Sequence, residues 1–185
     1  SALTKVIDES DTSILSNITK VKMYKFITPT LNNGLKYTLS FNNAFFNPHS
    51  GHNSTGGGVV SSTGFKISGD DTNEHFLDDD GTGNIRVYYL SGTTRIYTDS
   101  TYGTIDYTNG EIILTSSNIT SISNIDGAAS TRIRVTVSPD SNDIIPVRNQ
   151  VLSIDVANST VSGGIDEIES GSSQAGTSYT TTSSY

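Results

Sequence analysis

Arg132-Ile-Arg-Val-Thr-Val137 and Val151-Leu-Ser-Ile-Asp-Val156 are the stretches whose reading decides the fold. In the first, Ile133, Val135 and Val137 alternate with Arg132, Arg134 and Thr136. In the second, Leu152, Ile154 and Val156 alternate with Ser153 and Asp155. A period of two places one set of side chains on a buried face and the other in water, which predicts two strands. Ser138-Pro-Asp-Ser-Asn-Asp143 between them has turn chemistry, and Pro146 keeps Ile145 extended. That connection is too long for a tight hairpin, so the two strands are expected in different sheets or around one edge.

Working outward, the same alternation recurs. Val21 and Met23 oppose Lys20, Lys22 and Tyr24, while Leu35, Tyr37, Leu39 and Phe41 alternate with Lys36, Thr38 and Ser40. Asn32-Asn33-Gly34 lies between them, and the pair reads as a hairpin. Val59 to Ser68 reads as a strand with Phe65 and Ile67 inward. An acidic loop is expected from Gly69 to Asn84, followed by a meander through Ile85–Leu90 and Thr93–Thr98. Thr104–Tyr107 and Glu111–Leu114 flank Thr108-Asn109-Gly110, a strong hairpin signal. Ile119, Ile122 and Ile125 suggest an irregular edge segment.

Two segments differ in kind. Ala2 to Asn17 carries Leu3, Val6 and Ile7 at helical spacing and predicts a short N-terminal helix. Asn158 to Tyr185 is mostly Ser, Thr and Gly, too poor in apolar side chains to offset its ordering entropy alone. It is expected to order by docking on another chain or on the domain's own edge. The organisation expected is a β-rich domain over 1–157, antiparallel and sandwich-like with long polar loops, followed by an extended tail over 158–185.

Composition narrows the function classes. Hydrophobic residues make up 33% of the 185-residue chain, a proportion that suits a turn-rich β domain better than a helical bundle. The absence of Cys removes disulfides and thiolate metal sites. A net charge of −8 argues against a nucleic-acid groove, and no apolar run reaches membrane-spanning length, so neither nucleic acid nor membrane is an expected partner. Opening on Ser1 rather than Met reads as a fragment of a longer polypeptide.

Candidate sites are weak. Asp78-Asp-Asp-Gly-Thr-Gly-Asn84 resembles the start of a calcium loop, but Tyr89 stands where the bidentate Glu belongs, so a solvated turn is expected. His49-Ser-Gly-His52 with His75 offers metal nitrogens without a helix to align them, so solvent or partner contact is expected. There is no Gly-x-Ser-x-Gly elbow, and Gly56-Gly-Gly58 lacks the Lys and helix of a phosphate loop. The reading is a non-enzyme without cofactor or metal. The Asn42–Gly58 excursion carries Phe45, Phe46 and His49, which are the interface candidates. Every Lys lies in the first part of the chain, whereas Asp166, Glu167 and Glu169 lie in the tail. Opposite charge would steer the tail of one subunit onto Lys20, Lys22 and Lys36 of another, although ordinary solubilising charge explains the same layout.

Several ordered segments resemble the C-terminal part of the baseplate wedge ring subunit of T-even-like contractile-tailed bacteriophages of the marine type. They are Val6-Ile-Asp8 with Ser13-Ile-Leu-Ser16, Leu35-Lys-Tyr-Thr-Leu-Ser-Phe41, Asn84-Ile-Arg-Val-Tyr-Tyr-Leu90, Gly103-Thr-Ile-Asp-Tyr107 through Leu114, and Ile144-Ile-Pro-Val-Arg-Asn-Gln-Val-Leu-Ser-Ile-Asp155. The resemblance implies a structural virion protein, assembled in the host cytoplasm. Such a subunit would form a homodimer or higher homo-oligomer, contact other wedge subunits, and link wedges into a ring around the tail hub. The alternative is a carbohydrate-binding β-module in host recognition, with Tyr88, Tyr89, Tyr97, Tyr102 and Tyr107 stacking on sugars.

Overall fold

The computed structural model describes residues 21–52 and 58–141. Among them there are nine strands and no helix: β1 (Met23–Ile27), β2 (Gly34–Ser40), β3 (Val60–Ser62), β4 (Phe65–Ile67), β5 (Asp70–Asp79), β6 (Asn84–Ser91), β7 (Thr94–Asp106), β8 (Glu111–Ile122) and β9 (Ile133–Val137). No helix among these residues is long and apolar enough to cross a membrane. The expected N-terminal helix, the strand Val151–Val156, the tail and the boundary at 157/158 lie outside the described residues.

All pairings are antiparallel. A small sheet runs β1-β9-β3, and a larger one runs β2-β8-β4-β5-β6-β7 with β7 pairing back onto β8. That last pairing closes β4, β5, β6, β7 and β8 into a five-strand barrel, with β2 alongside β8. The antiparallel β class follows the alternation in the sequence. Closure of the larger sheet into a ring, where open layers were expected, depends on β8, which has β7 on its first residues and β4 on its last.

The deciding strand behaves as its pattern dictates. Ile133, Val135 and Val137 are buried, and β9 is the centre of its sheet. β1, however, does not pair with β2. It lies along β9, with Met23 opposite Val137, and β2 joins β8 in the other sheet. Asn32 does make the turn, with φ of 58°, but this turn passes the chain from one sheet to the other. Lys25 of β1 bridges toward β2: its ammonium donates to the Ser40 carbonyl and lies over the Phe41 ring. Val59–Ser68 likewise divides: β3 belongs to the small sheet and β4 to the barrel, with Phe65 and Ile67 inward as expected.

Three other expectations are corrected. The acidic segment after Gly69 is a ten-residue strand, β5, because its polar side chains find partners on β6 and β7. The Ser/Thr-rich run 94–106 is one continuous strand with register shifts opposite β6. Ile119 and Ile122 continue β8, where Ile119 is fully buried and Ser117 meets the Tyr102 hydroxyl at 2.6 Å.

At Gly103, β7 passes close against β8. A Cβ there would sit 2.2 Å from the Ile113 carbonyl oxygen, a backbone atom that cannot step aside without disturbing the ladder. Gly103→Ala is expected to cost about 1–3 kcal/mol through overpacking, whereas Thr104→Ala, exposed on the same strand, should stay within about 0.5 kcal/mol. Urea unfolding of the two variants checks this, and equal stability would show that β7 and β8 can separate locally at little cost.

Candidate functional site

Strand alternation sends Asp78 and Asp79 to opposite faces of β5. Neither is the solvated surface acid its sequence context suggests: they are 1% and 0% exposed. Register places Asp78 directly across from Arg86, and the two pair through Arg86 Nε to Oδ1 at 2.8 Å and Arg86 Nη2 to Oδ2 at 3.1 Å. The second oxygen also accepts from Arg95 Nη1 at 2.7 Å and from the Tyr97 hydroxyl at 2.9 Å. Arg86 reaches on to the Asp79 carbonyl at 2.9 Å.

Aromatic faces complete this lattice. The Arg86 guanidinium lies 4.3 Å from the Tyr97 ring centre and that of Arg95 4.6 Å from Tyr88. Burial works against the charge on Arg86, but the hydrogen bonds and field of Asp78 outweigh it and hold its pKa above the ordinary value. Tyr97 is pushed up by burial and by donating to Asp78. The group is chemically self-satisfied: an arginine–carboxylate–tyrosine cluster that fixes three strands.

Asp79 faces the other way. Its Oδ2 accepts from the Tyr107 hydroxyl at 2.6 Å and its Oδ1 from the Val60 backbone N–H at 2.9 Å, tying β3 of the small sheet to the barrel. Burial and the bond to Asp79 raise Tyr107 far above the usual tyrosine range. Asp80, although burial opposes its charge, is held well below the usual carboxylate range by bonds from Thr82 and Asn84. Its Oδ1 accepts backbone N–H bonds from Thr82, Gly83 and Asn84. The stretch that resembles a calcium loop is therefore two buried anchors and one turn cap. Among the described residues, no group of three or more His, Asp or Glu side chains is arranged to hold a metal.

The three histidines do not converge. His75 is fully buried in β5, its Nε2 3.1 Å from Thr98 Oγ1 and 3.5 Å from Asp70 Oδ2, while its Nδ1 makes no hydrogen bond. His49 and His52 are exposed together on the loop after Phe46.

The interface candidates separate. Phe45 is a core residue at 2% exposure, edge-on to Phe41 at 5.3 Å, because its backbone bridges to Pro139 and donates to the Tyr107 carbonyl. It is not free to anchor a partner. Phe46, 41% exposed, is. Lys22, just before β1, and Lys36, on β2, are exposed, but β1 and β2 lie in different sheets, so the two do not form the basic hairpin surface the sequence suggests. Lys20, Asp166, Glu167 and Glu169 lie outside the described residues. Of the tyrosines, Tyr88 and Tyr97 share the outer face of β6 and β7, with ring centres 5.8 Å apart. Tyr102 is hydrogen-bonded to buried Ser117 and Tyr107 to buried Asp79, so these two hydroxyls serve the fold. Sequence reasoning missed the Asp78–Arg86–Arg95 lattice, since only strand register brings these residues together.

Comparison with family models, with curated proteins and with solved structures finds no match for the chain.

Two outcomes follow from these buried groups. Asp78→Asn leaves the Arg86 guanidinium buried without its counter-charge and is expected to cost about 3 kcal/mol, whereas adding Arg86→Gln should recover part of that loss. A denaturation cycle over the four proteins measures the coupling, and strict additivity would refute it.

His75 titrates in the opposite sense from an ion-paired histidine. Burial pushes its imidazolium down, with Asp70 only partly opposing. The unfolded chain therefore takes up the proton first as pH falls below about 6.5, and stability should decline from there. His75→Gln should flatten that slope between pH 7.5 and 5.5 in urea titrations; an unchanged slope would place the acid sensitivity elsewhere.

Proposed function

We propose that this chain is a structural virion protein, a baseplate wedge subunit that self-associates and links wedges into the ring around a phage tail hub. The reading rests first on the ordered series of segments that resembles such subunits. The observation that carries it physically is the placement of exposed apolar side chains beside strands with one free neighbour. Among the described residues β1 and β2 each pair with a single strand. On and between them Tyr24 is 50%, Leu31 45% and Leu35 39% exposed. An unpaired edge flanked by apolar side chains is a template for joining another chain.

The barrel supports this role by its stiffness. Buried ion pairs and a closed ladder leave few ways to deform it, so force applied at an edge would pass through it as through a solid body. The loop bearing Phe46 would add aromatic area at the contact.

The carbohydrate-binding alternative has one observation in its favour, the Tyr88–Tyr97 pair on an outer face beside Arg95. Its stacking surface is small, because Tyr88 is buried at 8% exposure and its ring is covered by Arg95.

Sedimentation equilibrium over a wide concentration range tests the scaffold reading. The chain is expected to self-associate, and Leu31→Asp with Leu35→Asp to weaken association roughly tenfold or more, equivalent to about 1.4 kcal/mol, with the far-ultraviolet spectrum unchanged. A strictly monomeric chain together with saturable binding on a glycan array would replace this reading by its alternative.

A further inference from the structure

The histidines left unused by the barrel have a geometry of their own. Gly51, with φ of +77°, turns the chain so that the His52 N–H donates to the His49 carbonyl at 3.1 Å, and the Gly51 N–H is fastened to the Gly81 carbonyl at 3.0 Å. This turn does what a helix does in other paired-histidine sites. It brings two imidazoles from positions three apart onto one side of the backbone, with ring centres 4.8 Å apart.

The nitrogens that meet are His49 Nε2 and His52 Nδ1, 3.1 Å apart. Two ligands bound to one ion at about 2.05 Å are about 2.9 Å apart at a right angle and about 3.35 Å apart at the tetrahedral angle. The observed separation falls between these limits. His49 Nδ1 lies 3.2 Å from the Ser50 carbonyl, which can only accept; the tautomer protonated at Nδ1 makes that bond and presents the Nε2 lone pair to His52. Phe46 packs edge-on against the His52 ring at 5.6 Å and limits its rotation.

We propose that His49 and His52 form a chelating pair for a borderline divalent transition ion such as Zn2+ or Ni2+. Binding requires His52 to move its proton from Nδ1 to Nε2, which faces no fixed partner among the described residues. The ion would then sit about 1.3 Å to one side of the present inter-ring hydrogen bond, with both rings pivoting so that their lone pairs converge on it. Two imidazoles suit these ions better than Ca2+ or Mg2+, which require oxygen ligands. A net charge of −8 favours the approach of any cation. Both rings are exposed, so the remaining coordination positions stay open to water or to donors of an approaching chain.

Titration calorimetry of the tag-free chain with Zn2+ and with Ni2+ tests this, alongside His49→Ala, His52→Ala and the buried-site control His75→Gln. The expected result is one equivalent bound by the wild type and by His75→Gln, an affinity at least tenfold weaker in each loop variant, and no response to Mg2+. Equal binding by the loop variants, or no heat with Zn2+ or Ni2+ up to millimolar concentration, overturns the proposal. Both loop histidines are exposed, so circular dichroism should show these variants folded, and a loss of binding then reads on the site itself.

Discussion

Two neighbouring carboxylates hold this fold in register. Because a strand points successive side chains to opposite faces, Asp78 and Asp79 serve different parts of the molecule. Asp78 gathers Arg86, Arg95 and Tyr97 and thereby aligns β5, β6 and β7. Asp79 takes the Tyr107 hydroxyl and the Val60 N–H, and so fastens the small sheet and the β7–β8 turn to the barrel. A one-residue slip of β5 that set Leu77 opposite Arg86 would leave Arg86 and Arg95 without the carboxylate they share and place an apolar side chain against their guanidiniums.

That arrangement suits a chain with few apolar residues. A buried ion pair is often no more stabilising than an apolar pair of similar volume, since both charges must leave water. Its value here lies in selecting one pairing among several. β5 to β7 contain Thr, Ser, Asn and Asp in quantity, and such polar strands slip readily when hydrophobic pattern alone sets their register. Four directional donors on one carboxylate tolerate far less displacement than a methyl group does. Gly103 contributes from the other side of the barrel, where the absence of a side chain lets β7 approach β8 closely enough to close the ring.

The parts of the fold legible in the sequence were those set by local chemistry. Alternation located β2, β6 and β9, and Asn109-Gly110 located the β7–β8 turn, where Gly110 has φ of +65° and Asp106 accepts from the Asn109 N–H. What local chemistry does not encode is which strand lies beside which. The turn at Asn32 fits a hairpin, yet β1 aligns with β9, more than a hundred residues later in the chain, because Ile27 and Met23 complete the surface of Ile133 and Val137. β5 was illegible for a related reason. A run of acids reads as solvated until its arginines are placed, and Arg86 and Arg95 are placed only by tertiary register. Phe45 and Phe46 show the same limit within one dipeptide: the backbone bridge at Phe45 turns one ring inward and leaves its neighbour outside.

The exposed loop is not independent of this interior. The Gly81 carbonyl accepts from the Gly51 N–H at 3.0 Å and from Asn47 Nδ2 at 3.4 Å, so the segment carrying Phe46, His49 and His52 rests on the turn between β5 and β6. That turn is stiffened by Asp80, whose carboxylate takes three backbone N–H groups and the Asn84 amide. Asp80 in turn follows directly on the two carboxylates that fix the barrel. A group bound at the loop therefore pushes on a short path of hydrogen bonds ending in the most constrained strand of the fold. A surface intended only to be flexible would not be seated this way. Seating it on the turn that ends β5 would give a partner at this loop a rigid body to act upon, which is the property the proposed scaffold role would need.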